Sequence, residues 1–305
     1  MDQINIGNKG IMASQIALGC MRIADMEHAE VDHLIHTAMD QGITLYDHAD
    51  IYGGGRSEQV FSKVLQDDKS LREQMIIQTK CGIRSGYYDF SKEHILSSVE
   101  GSLERLGIDT IDILLLHRPD ALMEPEEVAE AFDTLHQSGK VRHFGVSNHN
   151  PMQMELLKKC VRQPLIINQL QFSITNTGMI DSGINVNMTV NGSSDRDGHI
   201  LDYCRLHDIT IQPWSPFQFG FFEGVFLDNP KFPELNEVIN DLAKSYGVTN
   251  TAIATAWILR HPAKMQPIVG TTKPKRLTEL CAAAEVCLSR QEWYAIYRAA
   301  GNKLP

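Results

Sequence analysis

Short apolar runs alternate with helical patterns along nearly the whole chain, and this alternation restricts the fold more than any other feature. The strand candidates are 15–20, 44–48, 75–80, 111–117, 141–147, 165–172, 209–214 and 266–270. Helical patterns lie near 28–41, 57–66, 92–106, 126–138, 151–161, 198–207, 234–246 and 274–284. Runs such as Ile111-Asp-Ile-Leu-Leu-Leu116 and Leu165-Ile-Ile167 are of the kind that parallel sheets cover on both faces. Eight strand–helix pairs, with no strand-rich section elsewhere, predict an α/β fold: a closed (β/α)₈ TIM barrel, not an open doubly wound sheet. Helix punctuation agrees, since Ser91 opens one helix and Gly107 closes it. Residues 4–11 read as a hairpin plugging the barrel bottom, turning at Asn8-Lys9-Gly10, and two extra helices are expected near 250–260 and 289–299. No linker or repeat divides the chain, so 1–305 is read as one barrel domain.

The net charge of −10, from 28 basic and 38 acidic residues, argues against a nucleic-acid or anionic-membrane partner. No apolar run is long enough to span a bilayer, and the first residues carry no export signal. The six cysteines form no C-x-x-C pair, so they read as free thiols in a reducing cytoplasm, not as a disulfide framework or a zinc site. The expected partner is a small molecule, and the expected state a monomer or weak oligomer.

Chemistry concentrates where the strands end. Leu45-Tyr-Asp-His-Ala-Asp-Ile-Tyr-Gly-Gly-Gly55 supplies Asp47 and Tyr52; Lys80 ends the third run and His117 the fourth. In a parallel barrel such residues converge on one mouth, where barrel enzymes hold their chemistry. A free phenol, with a pKa of about 10, is a poor acid near neutrality unless its anion is stabilised. Lys80 can stabilise it, and a buried lysine needs a carboxylate, which Asp47 provides from the adjacent strand. His117 would be a second donor to a substrate oxygen.

These four residues, with Leu-Leu-His-Arg-Pro-Asp around His117, resemble the catalytic tetrad of the aldo-keto reductase family, and the resemblance runs from Leu18-Gly19-Cys20-Met21 to the end. It implies reduction of an aldehyde or ketone to an alcohol, with hydride from NADPH and Tyr52 as general acid. It also implies an extended cofactor site on the barrel mouth. No G-x-G-x-x-G follows a strand, so a Rossmann site is not indicated. By resemblance, Gly19, Cys20, Met21 and Asp47 belong to the cofactor site; Ser147, Asn148 and Gln169 hold the nicotinamide carboxamide; Trp214 stacks on the nicotinamide ring. Ser215 and Pro216 follow the pyrophosphate. Gly270, Thr271, Lys273, Arg276 and Glu279 meet the adenosine end, where Thr271 and Arg276 would grip the 2′-phosphate. Gly270 departs from the family pattern, which often has lysine there.

Two other readings stay open: an aldolase-like barrel with Lys80 as Schiff-base nucleophile, and a non-catalytic NADP-binding regulatory barrel. Two long segments complete the picture. Residues 174–197 are polar, and 217–226 hold five phenylalanines, expected either to fold over the mouth as a lid or to pack sideways on helices.

Overall fold

A computed structural model describes residues 1–304. Eight parallel strands run in order around a barrel: Ala17–Gly19, Leu45–Asp47, Ile76–Cys81, Ile111–Leu116, Val141–Ser147, Leu165–Gln171, Thr210–Trp214 and Ile268–Val269. Strands one to seven each pair with the next in sequence, and the eighth pairs with the first, Ile268 opposite Ala17. The seam between strands seven and eight is bridged by the Gln266 N–H, which donates to the Ile211 carbonyl at 3.0 Å.

Helices cover the outside, and their ends carry the expected signals. The helix Lys92–Leu106 starts at Ser91, whose hydroxyl accepts from the His94 N–H, and stops at Gly107 in the left-handed conformation. The two extra helices, Asn250–Leu259 and Arg290–Ala299, are locked together by Trp257 and Trp293. Their rings stack 4.7 Å apart, and each indole N–H donates to the other's carbonyl.

The bottom is closed by a hairpin, Gln3–Ile6 against Ile11–Ser14. Gly7 must be glycine: its φ is 57°, and a Cβ would lie 2.5 Å from Ile166 Cβ. Ile6 and Ala13 pack upward on Leu45, Ile113, Leu115 and Ile167, so the lower interior is dry. Above that layer the interior turns polar. Period-two alternation carries Ile76 to Gln78 and Lys80, Leu45 to Asp47, Leu115 to His117, and Ile167 to Gln169.

Two segments differ from expectation. Within 174–197 a short helix forms, Gly178–Ile184, because Met179 and Ile180 bury themselves against the main core. Its glycines and surrounding Asn-rich composition conceal it in the sequence. The phenylalanine segment does not act as one piece. Phe219 and Phe226 are buried in the core, whereas Phe221 and Phe222 are 66% and 49% exposed at the tip of a small hairpin, Gln218–Phe219 with Gly224–Val225.

Candidate active site

The turn after strand two carries Tyr52 inward over the mouth. Gly53, Gly54 and Gly55 all have positive φ, and a Cβ on Gly53 would sit 2.4 Å from Ala24 Cβ. Beneath the phenol lies Lys80, wholly buried. Its ammonium donates to Asp47 at 2.8 Å, to the His48 carbonyl at 2.7 Å and to the Tyr52 hydroxyl at 3.1 Å. Three N–H groups thus have three acceptors. Burial alone would lower the Lys80 pKa, but Asp47 and Tyr52 outweigh it and hold it above the ordinary lysine value. Burial pushes the Tyr52 phenol up, and Lys80 pulls it partly back.

His117 meets Tyr52 edge-on, with ring centroids 5.9 Å apart. Its Nδ1 is buried without a partner. Burial, then the positive charges of Lys80 and Arg118, push its pKa well below the usual range, so the imidazole is neutral at ordinary pH.

Asp47 is held from below as well. Its Oδ1 accepts from Gln78 Nε2 at 2.6 Å and Gln169 Nε2 at 3.0 Å. Gln78 and Gln212 exchange two hydrogen bonds, at 2.8 and 3.1 Å. Gln212 continues to Gln266 at 2.8 Å, and Gln266 to the Ser14 carbonyl of the hairpin at 2.6 Å. This row of amides crosses the barrel interior from the mouth to the plug. Sequence reading missed Gln78, Gln212 and Gln266. The available signal was parity: Gln78 precedes Lys80, and Gln212 precedes Trp214, by two residues on an inward-facing strand side.

A cleft of ≈ 710 Å³ opens above the tetrad and runs outward between strands one, seven and eight. Asp47, Tyr52 and His117 line its inner end; Gly19, Met21, Ser147, Asn148, Gln169, Trp214, Ser215 and Pro216 line its middle; Gly270, Thr271, Arg276 and Glu279 line its outer end. Trp214 Nε1 donates to Asn148 Oδ1 at 3.0 Å, Asn148 Nδ2 to Ser147 Oγ at 2.8 Å, and Ser147 Oγ to the Gln169 carbonyl at 2.9 Å. Phe222 also lines the cleft and stacks on Trp214 at 5.9 Å.

Two expected residues do not reach the cleft. The Cys20 side chain turns outward into the core packed beneath the helices, because Gly19 takes the inward position on that strand; only the Cys20 N–H contributes, to the Asp47 carbonyl at 2.8 Å. Lys273 stands exposed at the start of the helix Pro274–Cys281, outside the lining. Arg118, Thr249, Asn250 and Thr251 line the cleft without having been singled out in the sequence. Among the described residues no helix is long and apolar enough to cross a membrane, and no cluster of three or more His, Cys, Asp or Glu could hold a metal.

The dimensions and donor set of this cleft suit an extended dinucleotide. It joins a phenol and a neutral imidazole at one end to an arginine that makes no ion pair among the described residues at the other. Comparison with known proteins agrees. The Aldo/keto reductase family pattern matches residues 15–300. A 6-dehydroglucose reductase from Agrobacterium fabrum is 35% identical, covering 99% of both chains. An uncharacterized oxidoreductase of Bacillus subtilis, YcsN, is 36% identical over 94% of each. The crystal structure of a thermostable aldo-keto reductase, Tm1743, superposes with a TM-score of 0.79 at 24% identity, covering 98% of this chain and all of that one, and so shares the fold. With its barrel and its matching sequence over nearly full length, this chain belongs to the aldo/keto reductase family.

Proposed function

We propose that this oxidoreductase reduces an aldehyde or ketone to an alcohol with NADPH, and that Tyr52 delivers the proton. The observation that carries the reading is the buried series Asp47–Lys80–Tyr52 opening beside a neutral His117. A bound nicotinamide would supply hydride to the carbonyl carbon. Tyr52 gives its proton to the carbonyl oxygen, and the phenolate left behind faces the Lys80 ammonium. His117, uncharged, polarises the same oxygen by donating a ring N–H. Asp47 keeps the ammonium aimed at Tyr52.

A Schiff base on Lys80 fits poorly. Its nitrogen has no free lone pair while all three N–H groups are engaged and Asp47 and Tyr52 favour the charged form. A purely regulatory barrel has no need of a phenol, an imidazole and a buried ion pair meeting at one point. Loss of NADPH absorbance against a panel of aldehydes and ketones tests the reading. Turnover of none of them, with NADPH bound, would remove it.

NADPH preference over NADH rests on Arg276, assisted by Thr271. The Thr271 hydroxyl already accepts from the Lys273 N–H at 3.2 Å, which stabilises the turn. A charge-assisted contact to the 2′-phosphate is worth roughly 1.5–3 kcal/mol, about ten- to a hundred-fold in affinity. Arg276→Ala is expected to lose that factor for NADPH only, measured by fluorescence titration with both cofactors; equal loss for both contradicts the assignment. A Cβ built on Gly270 meets nothing within 4 Å, so Gly270→Lys has room and should raise the NADPH-to-NADH affinity ratio. We further infer a cytoplasmic location, in keeping with six cysteines that are all free thiols.

A further inference from the structure

Three of the charged groups that line the cleft have partners that account for them. Asp47 holds Lys80, Asp228 accepts twice from Asn250 at 3.0 and 3.1 Å, and Glu279 faces Lys275. The three arginines of the lining, Arg22, Arg118 and Arg276, make no ion pair within 4.0 Å among the described residues. Arg22 and Arg276 are exposed, with Arg276 at the outer end. Arg118 alone of them is sheltered, half-buried beside His117 next to the reacting corner. The nearest acid in sequence, Asp120, is engaged elsewhere: its two oxygens accept from the Phe90 and Leu122 N–H groups at 2.9 and 2.8 Å.

The position of Arg118 is built, not incidental. Pro119 restricts the preceding residue to extended backbone, which fixes how Arg118 leaves strand four. Its guanidinium lies over the Trp214 ring, 5.6 Å from the centroid. That ring is itself anchored through Asn148, which also reaches the His117 carbonyl at 3.5 Å. One hydrogen-bonded link therefore joins the backbone that carries Arg118 to the aromatic shelf under its charge. Ile51, Ile83 and Phe222 supply apolar wall in the same cleft. An unpaired cation in such a place, on a chain of net charge −10, attracts anions to the one corner where Tyr52 and His117 act.

The geometry points to Arg118 as the recognition group for an anionic carbonyl substrate: an aldehyde or ketone whose carbon skeleton also carries a carboxylate, sulfonate or phosphate. The proposal rests on the reductase reading and specifies which carbonyl compounds it serves. The planar fork of arginine can take such an oxyanion through two N–H groups while its face stays on Trp214. The apolar wall accommodates the carbon skeleton between the anion and the carbonyl.

The test compares 4-carboxybenzaldehyde with its methyl ester, which share a ring and an aldehyde but differ in charge, in wild type, Arg118→Met, Arg118→Lys and Arg118→Glu. The acid is expected to win in wild type by about ten-fold or more in kcat/KM, expressed mainly in KM. The acid-to-ester ratio should approach one in Arg118→Met, recover in part in Arg118→Lys, and invert in Arg118→Glu. Isothermal titration of benzoate and benzamide into the protein alone, wild type and Arg118→Met, reads the same preference without turnover. A wild-type ratio near one, a ratio unmoved by Arg118→Met, or an equal loosening of NADPH by that substitution overturns the proposal. So does faster turnover of glyceraldehyde, a neutral polyol, than of the acid. Should no aldehyde be reduced while benzoate binds through Arg118, the anion site stands and the reductase reading has failed. Should aldehydes be reduced with no acid preference, the anion site alone has failed.

Discussion

Tyr52→Phe is expected to lower carbonyl reduction by about 10²–10⁴-fold, the usual contribution of a positioned general acid. The ring remains, so its edge contact with His117 and the shape of the cleft persist. What disappears is the hydroxyl, which is the proposed proton source and also one of three acceptors around Lys80. Leaving one N–H of a buried ammonium unsatisfied costs about 1–3 kcal/mol of stability, so denaturant unfolding should register a modest loss. Stopped-flow or steady-state NADPH oxidation, set beside NADPH titration, separates chemistry from binding. A variant that turns over a ketone at the wild-type rate shows that the proton comes from elsewhere.

Lys80→Met is expected to be damaging in two ways that can be measured apart. The first concerns stability. Asp47 is 2% exposed, and removing its cation leaves a buried carboxylate with only amide donors, a change that typically costs about 3–5 kcal/mol. The second concerns catalysis. Lys80 pulls the Tyr52 phenol down against burial; without it the phenol becomes a weaker acid and its anion loses its counter-charge. The double substitution Asp47→Asn with Lys80→Met should regain part of the stability, since no uncompensated charge is left buried, yet regain none of the activity. Urea unfolding gives the first number and reductase assays the second. If Lys80→Met unfolds at the wild-type denaturant concentration and keeps its activity, the coupling of Lys80 to both neighbours is refuted.

The barrel was legible because its strands differ from its helices in period, and because caps such as Ser91 and Gly107 mark ends by local chemistry alone. The meeting of Asp47, Tyr52, Lys80 and His117 was legible for a related reason: Asp47, Lys80 and His117 each interrupt or end an apolar run at the same height, and a polar residue there needs a purpose. Cys20 shows what a motif conceals. Its neighbours Gly19 and Met21 line the cleft, yet alternate residues of a strand face opposite ways, and parity sends the thiol into the core. The phenylalanines at 217–226 illustrate a different limit. Composition announces burial without saying which ring is buried, and only the turn through Gly220 to Gly224 separates Phe219 and Phe226 from Phe221 and Phe222. Arg118 was read only as part of a signature; its lack of an acidic partner is a property of three dimensions.

The amide row beneath Asp47 has a direction that must reverse once. Asp47 at the top and the Ser14 carbonyl at the bottom are both acceptors, so each end of the row demands N–H groups. Gln212 is where the sense changes: its NH₂ donates upward to Gln78 and downward to Gln266, while its oxygen accepts from Gln78 and Gln169. A glutamate there would fill the same space and yet be unable to donate either way. Gln266 would have to turn over to meet it with an N–H, presenting its amide oxygen to the Ser14 carbonyl. Gln78, which already donates to the oxygen at 212, would either leave its own oxygen against the second carboxylate oxygen or turn over and present it to Asp47. The carboxylate at the mouth and the hairpin at the far end are therefore set by one side chain, so a substitution at position 212 acts on both ends of the barrel at once.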